Sequence, residues 1–142
     1  MIFLLATQTV LDILAGRPQI QDWLRTVPLR SVELSTVSIA QSLHKIRSSA
    51  GPAQRRAYER SLRSFLSAMQ IHQGVVPFDE AAADIWPTLM EMDLQCGIEG
   101  KAGTLGAPSR MVVATALARD AVLVEGAQPY HSLVPGLQVQ GF

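Results

Sequence analysis

Residues 1–16, MIFLLATQTVLDILAG, place a short apolar run directly before an apolar helical pattern. Residues 1–5 are followed by a polar turn, which is typical of a parallel strand covered on both faces. Residues 9–15 carry apolar side chains at helical spacing, and Gly16 ends that pattern. A strand that leads into a helix in this way places its carboxyl end where open α/β folds bind ligands. The residue at that end is Ala6, which can neither bind a metal nor transfer a proton.

Strands and helices alternate along the rest of the chain. Short apolar or alternating runs predict strands at residues 32–37, 75–78 and 121–124 and a further strand within 134–142. The spacing of apolar residues and the positions of helix-breaking residues predict helices over residues 19–25, 39–46 and 53–72 and a buried helix over 109–120. Ser38 is predicted to cap the helix over 39–46, and Asp79 to cap a further helix in the stretch that follows it. The glycine-rich residues 97–108 are predicted to form a loop. The alternation predicts an α/β fold, one domain over residues 1–142 with a mostly parallel central sheet flanked by helices.

The composition limits the classes of function. The chain has 142 residues with Lys plus Arg 12 and Asp plus Glu 12, so its formal net charge is zero. A neutral balance argues against a protein that coats nucleic acid by charge alone, because neutralising phosphates requires a basic surface. The single cysteine, Cys96, excludes an internal disulfide and a cysteine-rich zinc site. The start of the chain lacks the basic segment of a secretion signal, and no stretch reaches the length of a membrane span, so we expect a cytoplasmic protein that does not associate with membranes.

Four stretches, in chain order, resemble one known family. They are MIFLLATQTVLDIL, STVSIAQSLHKI, VVPFDEAAADIWPTLM and APSRMVVATALARDAVLVEGAQPY, which together cover nearly the whole chain. The order of elements and these strings resemble the PIN-domain family, and within it the VapC-type toxins of bacterial toxin–antitoxin pairs. The resemblance implies a three-layer α/β domain. It also implies metal-dependent RNA cleavage by three or four carboxylates that hold Mg²⁺ or Mn²⁺ at the carboxyl ends of the strands.

The residues that the resemblance aligns with those carboxylates are not acids in this chain. The family's acidic positions fall on residues that carry no charge: Ala6, Gln41, Ser109 and Tyr130, or Pro129 in place of Tyr130 if the register shifts by one. Hard divalent cations need anionic oxygen ligands. We therefore expect no metal cofactor, and the leading hypothesis is a pseudoenzyme, a VapC-like PIN domain that binds a partner or RNA without cutting it.

The competing hypothesis is a ribonuclease toxin with an altered Mg²⁺ or Mn²⁺ site. Two carboxylates, Asp12 and Glu125, are predicted to lie near the strand ends, and Thr7 and Gln8 could add neutral oxygens. Arg110 follows Ser109 directly and is expected to direct a positive charge into the same cleft, which would oppose a metal. The alternative interpretation is that Asp12 belongs to an amphipathic helix and Glu125 to a loop.

The partner predictions come from the resemblance and from a basic cluster. His44 and Lys45 hold the place of a basic pair that lies near the RNA groove in VapC-type proteins, and Arg47 follows them. Contact with RNA or with a partner is one interpretation of this cluster, and a solvated helix face is the other. The family resemblance further implies a homodimer and an antitoxin-like partner protein. A third hypothesis is a structural subunit whose partner fills the cleft. His131 is expected to be a loop residue with no acid to orient it.

Overall fold

The computed structural model describes residues 1–49, 51–98 and 101–142. Its strands are β1 (Phe3–Leu5), β2 (Val32–Ser35), β3 (Val75–Val76), β4 (Gln95–Ile98), β5 (Lys101–Thr104), β6 (Val122–Val124) and β7 (Val139–Gln140). Its helices are α1 (Thr7–Leu14), α2 (Pro18–Leu24), α3 (Thr36–Ser49), α4 (Pro52–Gln70), α5 (Glu80–Met90) and α6 (Ala107–Ala118). Two short 3₁₀ helices span Leu29–Ser31 and Pro129–Ser132.

Five of the strands form one parallel sheet in the order β3-β2-β1-β6-β7. The central strand β1 pairs on one side with β2, with Phe3 opposite Val32, and on the other side with β6, with Phe3 opposite Val122. This arrangement confirms the predicted α/β fold with a mostly parallel central sheet. Because the strands are parallel and in register, β1, β2 and β6 end at the same edge of the sheet.

Successive residues of β1 enter opposite halves of the core, as the two-residue period of a strand requires. Leu4 lies in a cluster with residues of α5 and α6, while Leu5 lies in a second cluster with residues of α1, α2, α3 and α4. Both leucines are fully buried. Helices therefore cover both faces of the sheet, and the prediction of a buried helix near residue 110 is confirmed by α6, in which six of twelve residues are buried.

The structure corrects the predicted loop over residues 97–108. Strands β4 and β5 form an antiparallel hairpin in which Gln95 lies opposite Thr104 and Ile98 opposite Lys101. The strands of this hairpin cannot be recognised from hydrophobic periodicity. Every residue of β5 is exposed, so burial imposes no two-residue period on its sequence.

Helix starts also lie earlier than predicted. Helix α3 begins at Thr36, because the Ser35 hydroxyl accepts the Val37 N–H at 3.1 Å and so caps this end. Ser38, the predicted cap, is fully buried inside the helix. The predicted Asp79 cap is confirmed, since its carboxylate accepts the Ala82 N–H at 3.0 Å.

Among the described residues, no helix has both the length and the apolar content that a membrane span requires.

Arg110 joins α6 to the end of α5 through a buried cation. The residue is 4% exposed, its Nε donates to the Leu105 carbonyl at 2.8 Å, and its Nη1 donates to the carbonyls of Leu89 and of Met92, the latter at 2.7 Å. Leu89 lies in the last turn of α5, where carbonyls lack helical partners and carry the negative end of the helix dipole. The guanidinium therefore satisfies carbonyls at a helix end and is itself stabilised by them.

Replacing Arg110 with methionine is expected to lower the free energy of unfolding by about 2–4 kcal/mol, because buried carbonyls lose their donors. Urea unfolding followed by circular dichroism measures the loss. Arg56→Met, at an exposed position of α4, is the matched control and should change stability by less than about 0.5 kcal/mol. Equal effects of the two substitutions would show that the Arg110 contacts do not stabilise the fold.

Candidate functional site

A cleft of about 1050 Å³ lies at the edge of the sheet where β1, β2 and β6 end. We call it the edge cleft. Three helices form its walls, with Thr7, Gln8 and Leu11 of α1, Val37, Ala40, Gln41, His44, Lys45, Ser48 and Ser49 of α3, and Pro108, Ser109, Met111 and Val112 of α6. Its remaining lining residues include Ala6, Arg17, Cys96, Gly97, Leu105, Glu125, Gln128 and Tyr130. The edge cleft thus contains all four positions that the family resemblance aligns with metal-binding acids.

The floor of the edge cleft is made where β1 turns into α1. Ala6 is 4% exposed, its N–H donates to the Val124 carbonyl at 3.1 Å, and it stands at the N-cap of α1 without a side chain that could cap the helix. The next residue, Thr7, donates its hydroxyl to Gln41 Oε1 at 2.6 Å and lies 3.1 Å from the Ser38 hydroxyl. Neutral hydrogen bonds therefore connect α1 to α3 at this point.

Glu125, which follows β6, is held by two donors from the next turn of chain. The Tyr130 hydroxyl donates to Glu125 Oε1, and His131 Nε2 lies 2.7 Å from the same oxygen. His131 Nδ1 accepts the Gln128 N–H at 3.2 Å, so the ring proton is on Nε2 and is donated to Glu125. The prediction that no acid orients His131 is therefore wrong, because the 3₁₀ turn at Pro129–Ser132 returns the ring to Glu125.

Burial raises the pKa of the Tyr130 phenol far above its usual value, and the adjacent Glu125 carboxylate raises it further. Tyr130 is only 1% exposed, and ionising it would place a second negative charge beside Glu125. The phenol is consequently a permanent hydrogen-bond donor at neutral pH. It occupies the position that the resemblance aligns with an acid.

Gln128 connects the β4–β5 hairpin to the 3₁₀ turn at Pro129–Ser132. Its Oε1 accepts the Gly97 N–H at 2.8 Å and its Nε2 donates to the Gly97 carbonyl at 3.1 Å. The side-chain amide thereby pairs with β4 as a neighbouring strand would. This contact positions Gly97 and the adjacent Cys96, which is buried in β4, along one end of the edge cleft.

Three of the predicted site residues do not line the edge cleft. Asp12 is turned toward Arg17 Nε, at 3.1 Å, and also accepts from Gln8 at 3.1 Å. Arg110 points toward the end of α5 instead of into the cleft, and Arg47 pairs with Glu59 at 2.8 Å. Thr7, Gln8, Glu125, His44 and Lys45 do line it.

Sequence reasoning did not identify Arg17, Cys96 or Gln128 as lining residues of the edge cleft. Gln128 gave no signal because it acts through a backbone contact with a hairpin that the sequence did not predict. Arg17, the ion-pair partner of Asp12, is weakly indicated by the sequence, because it lies just beyond the end of α1 and so close to Asp12 along the chain.

The donor set of the edge cleft does not fit a hard divalent cation. Glu125 is the one carboxylate among the described lining residues, and its Oε1 is already shared by Tyr130 and His131. Within the described residues, no group of three or more His, Cys, Asp or Glu side chains is placed to hold a metal ion. Hydroxyls and amides supply the other oxygens, and these do not balance the charge of Mg²⁺ or Mn²⁺.

Comparisons with known proteins relate the chain to solved structures only. No protein-family model and no curated protein matches the sequence. A chain of VapBC2 from Rickettsia felis, in a crystal structure with a DNA fragment from their promoter, superposes with a TM-score of 0.74 at 18% identity, over 100% of this chain and 99% of that one. FitAcB from Neisseria gonorrhoeae gives a TM-score of 0.72 at 20% identity, over 97% and 96% of the two chains.

DNA-bound VapBC from Salmonella typhimurium gives a TM-score of 0.74 at 16% identity, over 99% of this chain and 98% of the other. Near-complete coverage of both chains at such low identity indicates a shared fold. The chain has the VapC-type PIN fold, and its edge cleft lies at the carboxyl ends of the strands of that fold.

The Tyr130 contacts predict a distinctive alkaline titration. The chain has two tyrosines, and in the folded protein Tyr130 is expected to stay protonated at pH values where a solvent-exposed phenol ionises. Since the folded-state pKa of Tyr130 is raised above the unfolded value, its contribution to stability is complete below about pH 10 and is lost above it, by up to about 1.4 kcal/mol per pH unit. Tyrosinate absorbance against pH measures the ionisation, and urea unfolding at each pH measures the stability.

Two variants separate the causes of the Tyr130 shift. Tyr130→Phe should remove the Tyr130 transition from the tyrosinate absorbance, and Glu125→Gln should lower the Tyr130 pKa without returning it to the usual value, because burial remains. Ionisation of Tyr130 near pH 10 in the folded wild type, seen as tyrosinate absorbance that Tyr130→Phe removes, would contradict the described contacts.

Proposed function

We propose that this chain is a non-catalytic, VapC-like protein of the toxin–antitoxin type, whose edge cleft binds a partner protein instead of a catalytic metal. The observation that carries the proposal is the donor set of the edge cleft. Its one carboxylate among the described lining residues, Glu125, is hydrogen-bonded by Tyr130 and His131, and the positions around it are occupied by Ala6, Gln41 and Ser109.

The two protons donated to Glu125 support this assignment. In a metal-dependent nuclease the carboxylate oxygens would coordinate the cation. Here one oxygen accepts from a phenol and from an imidazole, and both donors are 15% exposed or less. These contacts stabilise the Glu125 carboxylate without a metal. They also occupy the oxygen that would have to coordinate a cation.

The neighbouring structures support a protein partner. VapBC-1 from Haemophilus influenzae and VapBC-5 from Mycobacterium tuberculosis are further VapBC structures of this fold, the latter described as a member of a family of toxin–antitoxin systems. We extend this to the present chain and propose an antitoxin-like protein as its partner and a homodimer as its own assembly state. RNA bound without cleavage is the other occupant that the edge cleft could hold.

The alternative function, a Mg²⁺- or Mn²⁺-dependent ribonuclease with an altered site, rests on one observation. Glu125 shares the edge cleft with Thr7, Gln8 and Gln41, which offer neutral oxygens. Asp12, the second carboxylate that this alternative requires, is not a lining residue and is paired with Arg17. The alternative therefore needs a rearrangement of both carboxylates.

Calorimetric titration with Mn²⁺ separates the two functions. We expect no saturable binding to the wild type and clear binding to the triple variant Ala6→Asp, Gln41→Glu, Ser109→Asp, because three anionic oxygens then converge on the cleft. The folded state of the variant is checked by circular dichroism. Ala81→Asp, Gln54→Glu, Ser61→Asp changes the net charge equally at exposed positions outside the edge cleft and is the matched control.

The ribonuclease function makes the opposite prediction. Wild-type protein would bind Mn²⁺ as tightly as the triple variant, and it would cleave RNA in a reaction that chelator stops and Glu125→Gln abolishes. Either result would overturn the proposal of a non-catalytic protein.

A further inference from the structure

The charged side chains of the edge cleft define the chemistry of a ligand. Lys45, which is exposed, and Arg17 line the cleft, together with the His44 imidazole. Among the described lining residues Glu125 is the only carboxylate, and its side chain is 15% exposed and is hydrogen-bonded by Tyr130 and His131. Arg17 lies 3.1 Å from Asp12 and is paired with it, so Lys45 is the charged side chain of the described lining that meets a ligand without an ion-pair partner, and its charge is positive.

The polar groups along α3 also favour a ligand that is negatively charged and accepts hydrogen bonds. Gln41 Oε1 accepts the Thr7 hydroxyl, which fixes the amide so that its NH₂ group is the part left to donate. Residues 37, 41, 44, 45 and 48 recur at helical spacing along one face of α3 and all line the cleft. Gln41 and Lys45 lie one turn apart on this face, so an amide donor and an ammonium group follow each other along the wall.

The apolar part of the lining favours a peptide over a nucleic acid. Leu11, Val37, Leu105 and Met111 line the cleft between the polar groups. Proteins that hold single-stranded RNA stack its bases on exposed aromatic side chains. The aromatic rings among the described lining residues are the exposed His44 imidazole and the Tyr130 phenol, and the phenol is 1% exposed with its hydroxyl donated to Glu125. A single imidazole does not make a platform for successive bases.

We propose that the edge cleft binds an extended acidic peptide segment of a partner protein, with a ligand carboxylate paired to Lys45 and hydrogen-bonded by the Gln41 amide. Apolar side chains of the segment pack against Leu11, Val37 and Met111. This inference rests on the proposed function, and it specifies the sign of the partner's charge. A cleft lined by free acids would instead select a basic segment, so the residues at these few positions determine which sign of partner can bind.

Fluorescence polarisation with labelled hexaglutamate and hexalysine peptides tests the proposal. Hexaglutamate should bind the wild type, and hexalysine should not. Lys45→Glu should weaken hexaglutamate binding by about five- to tenfold, and added salt should weaken it as well. The chain has two lysines, so Lys101→Glu, on the exposed strand β5 outside the lining, is a control with the same change in net charge and should leave binding within about twofold of the wild type.

Four outcomes overturn the inference. They are no binding of hexaglutamate to the wild type, equal losses in the two lysine variants, stronger binding of hexalysine than of hexaglutamate, and tighter binding of a single-stranded oligoadenylate that Lys45→Glu weakens. The Mn²⁺ titration decides the proposed function separately. A wild type that binds neither Mn²⁺ nor hexaglutamate therefore keeps its assignment as a non-catalytic protein and loses only the acidic partner.

Discussion

The parallel pairing of β1 with both β2 and β6 is the constraint on which the site depends. This register ends three strands at one edge of the sheet, and each of the segments that follows, Ala6–Thr7, α3 and Glu125, then borders the same cleft. Burial on both faces holds the register, since Leu4 and Leu5 enter opposite halves of the core and a slip of one residue would exchange them.

Hydrogen bonds from neutral donors organise the edge cleft. Thr7 donates to Gln41, Gln128 pairs with Gly97, and Tyr130 and His131 donate to Glu125. A cluster of carboxylates in the same place would repel one another and would need a cation to neutralise them. The donors around Glu125 remove that requirement, which is the physical basis for proposing a binding protein instead of a nuclease.

The cations near the edge cleft have separate roles because they have different partners. Arg110 is buried and bound to three carbonyls near the end of α5 and the start of α6, so it stabilises the packing of two helices. Arg17 pairs with Asp12, and Arg47 pairs with Glu59. Lys45 is exposed on the wall of the cleft, and for this reason the proposed ligand carboxylate is assigned to it.

The sequence by itself determined the order of the strands and helices apart from the β4–β5 hairpin, the parallel sheet, the buried character of α6 and the cap at Asp79. Periodic burial and capping chemistry act over a few neighbouring residues, so they can be recognised locally. The position of Ala6 at a strand end was likewise predicted from adjacent residues, and the resemblance brought Gln41, Ser109 and Tyr130 to the same site.

The tertiary structure decided which side chains face the cleft and which partners they have. Adjacent residues on a helix point about 100° apart, so Ser109 lines the cleft while Arg110 packs against α5, and no local pattern distinguishes them. The bond between His131 and Glu125 depends on a turn that reverses the chain, and the β4–β5 hairpin depends on backbone pairing between exposed residues. Contacts of this kind are set by geometry in three dimensions, which the spacing of residue types along the chain does not encode.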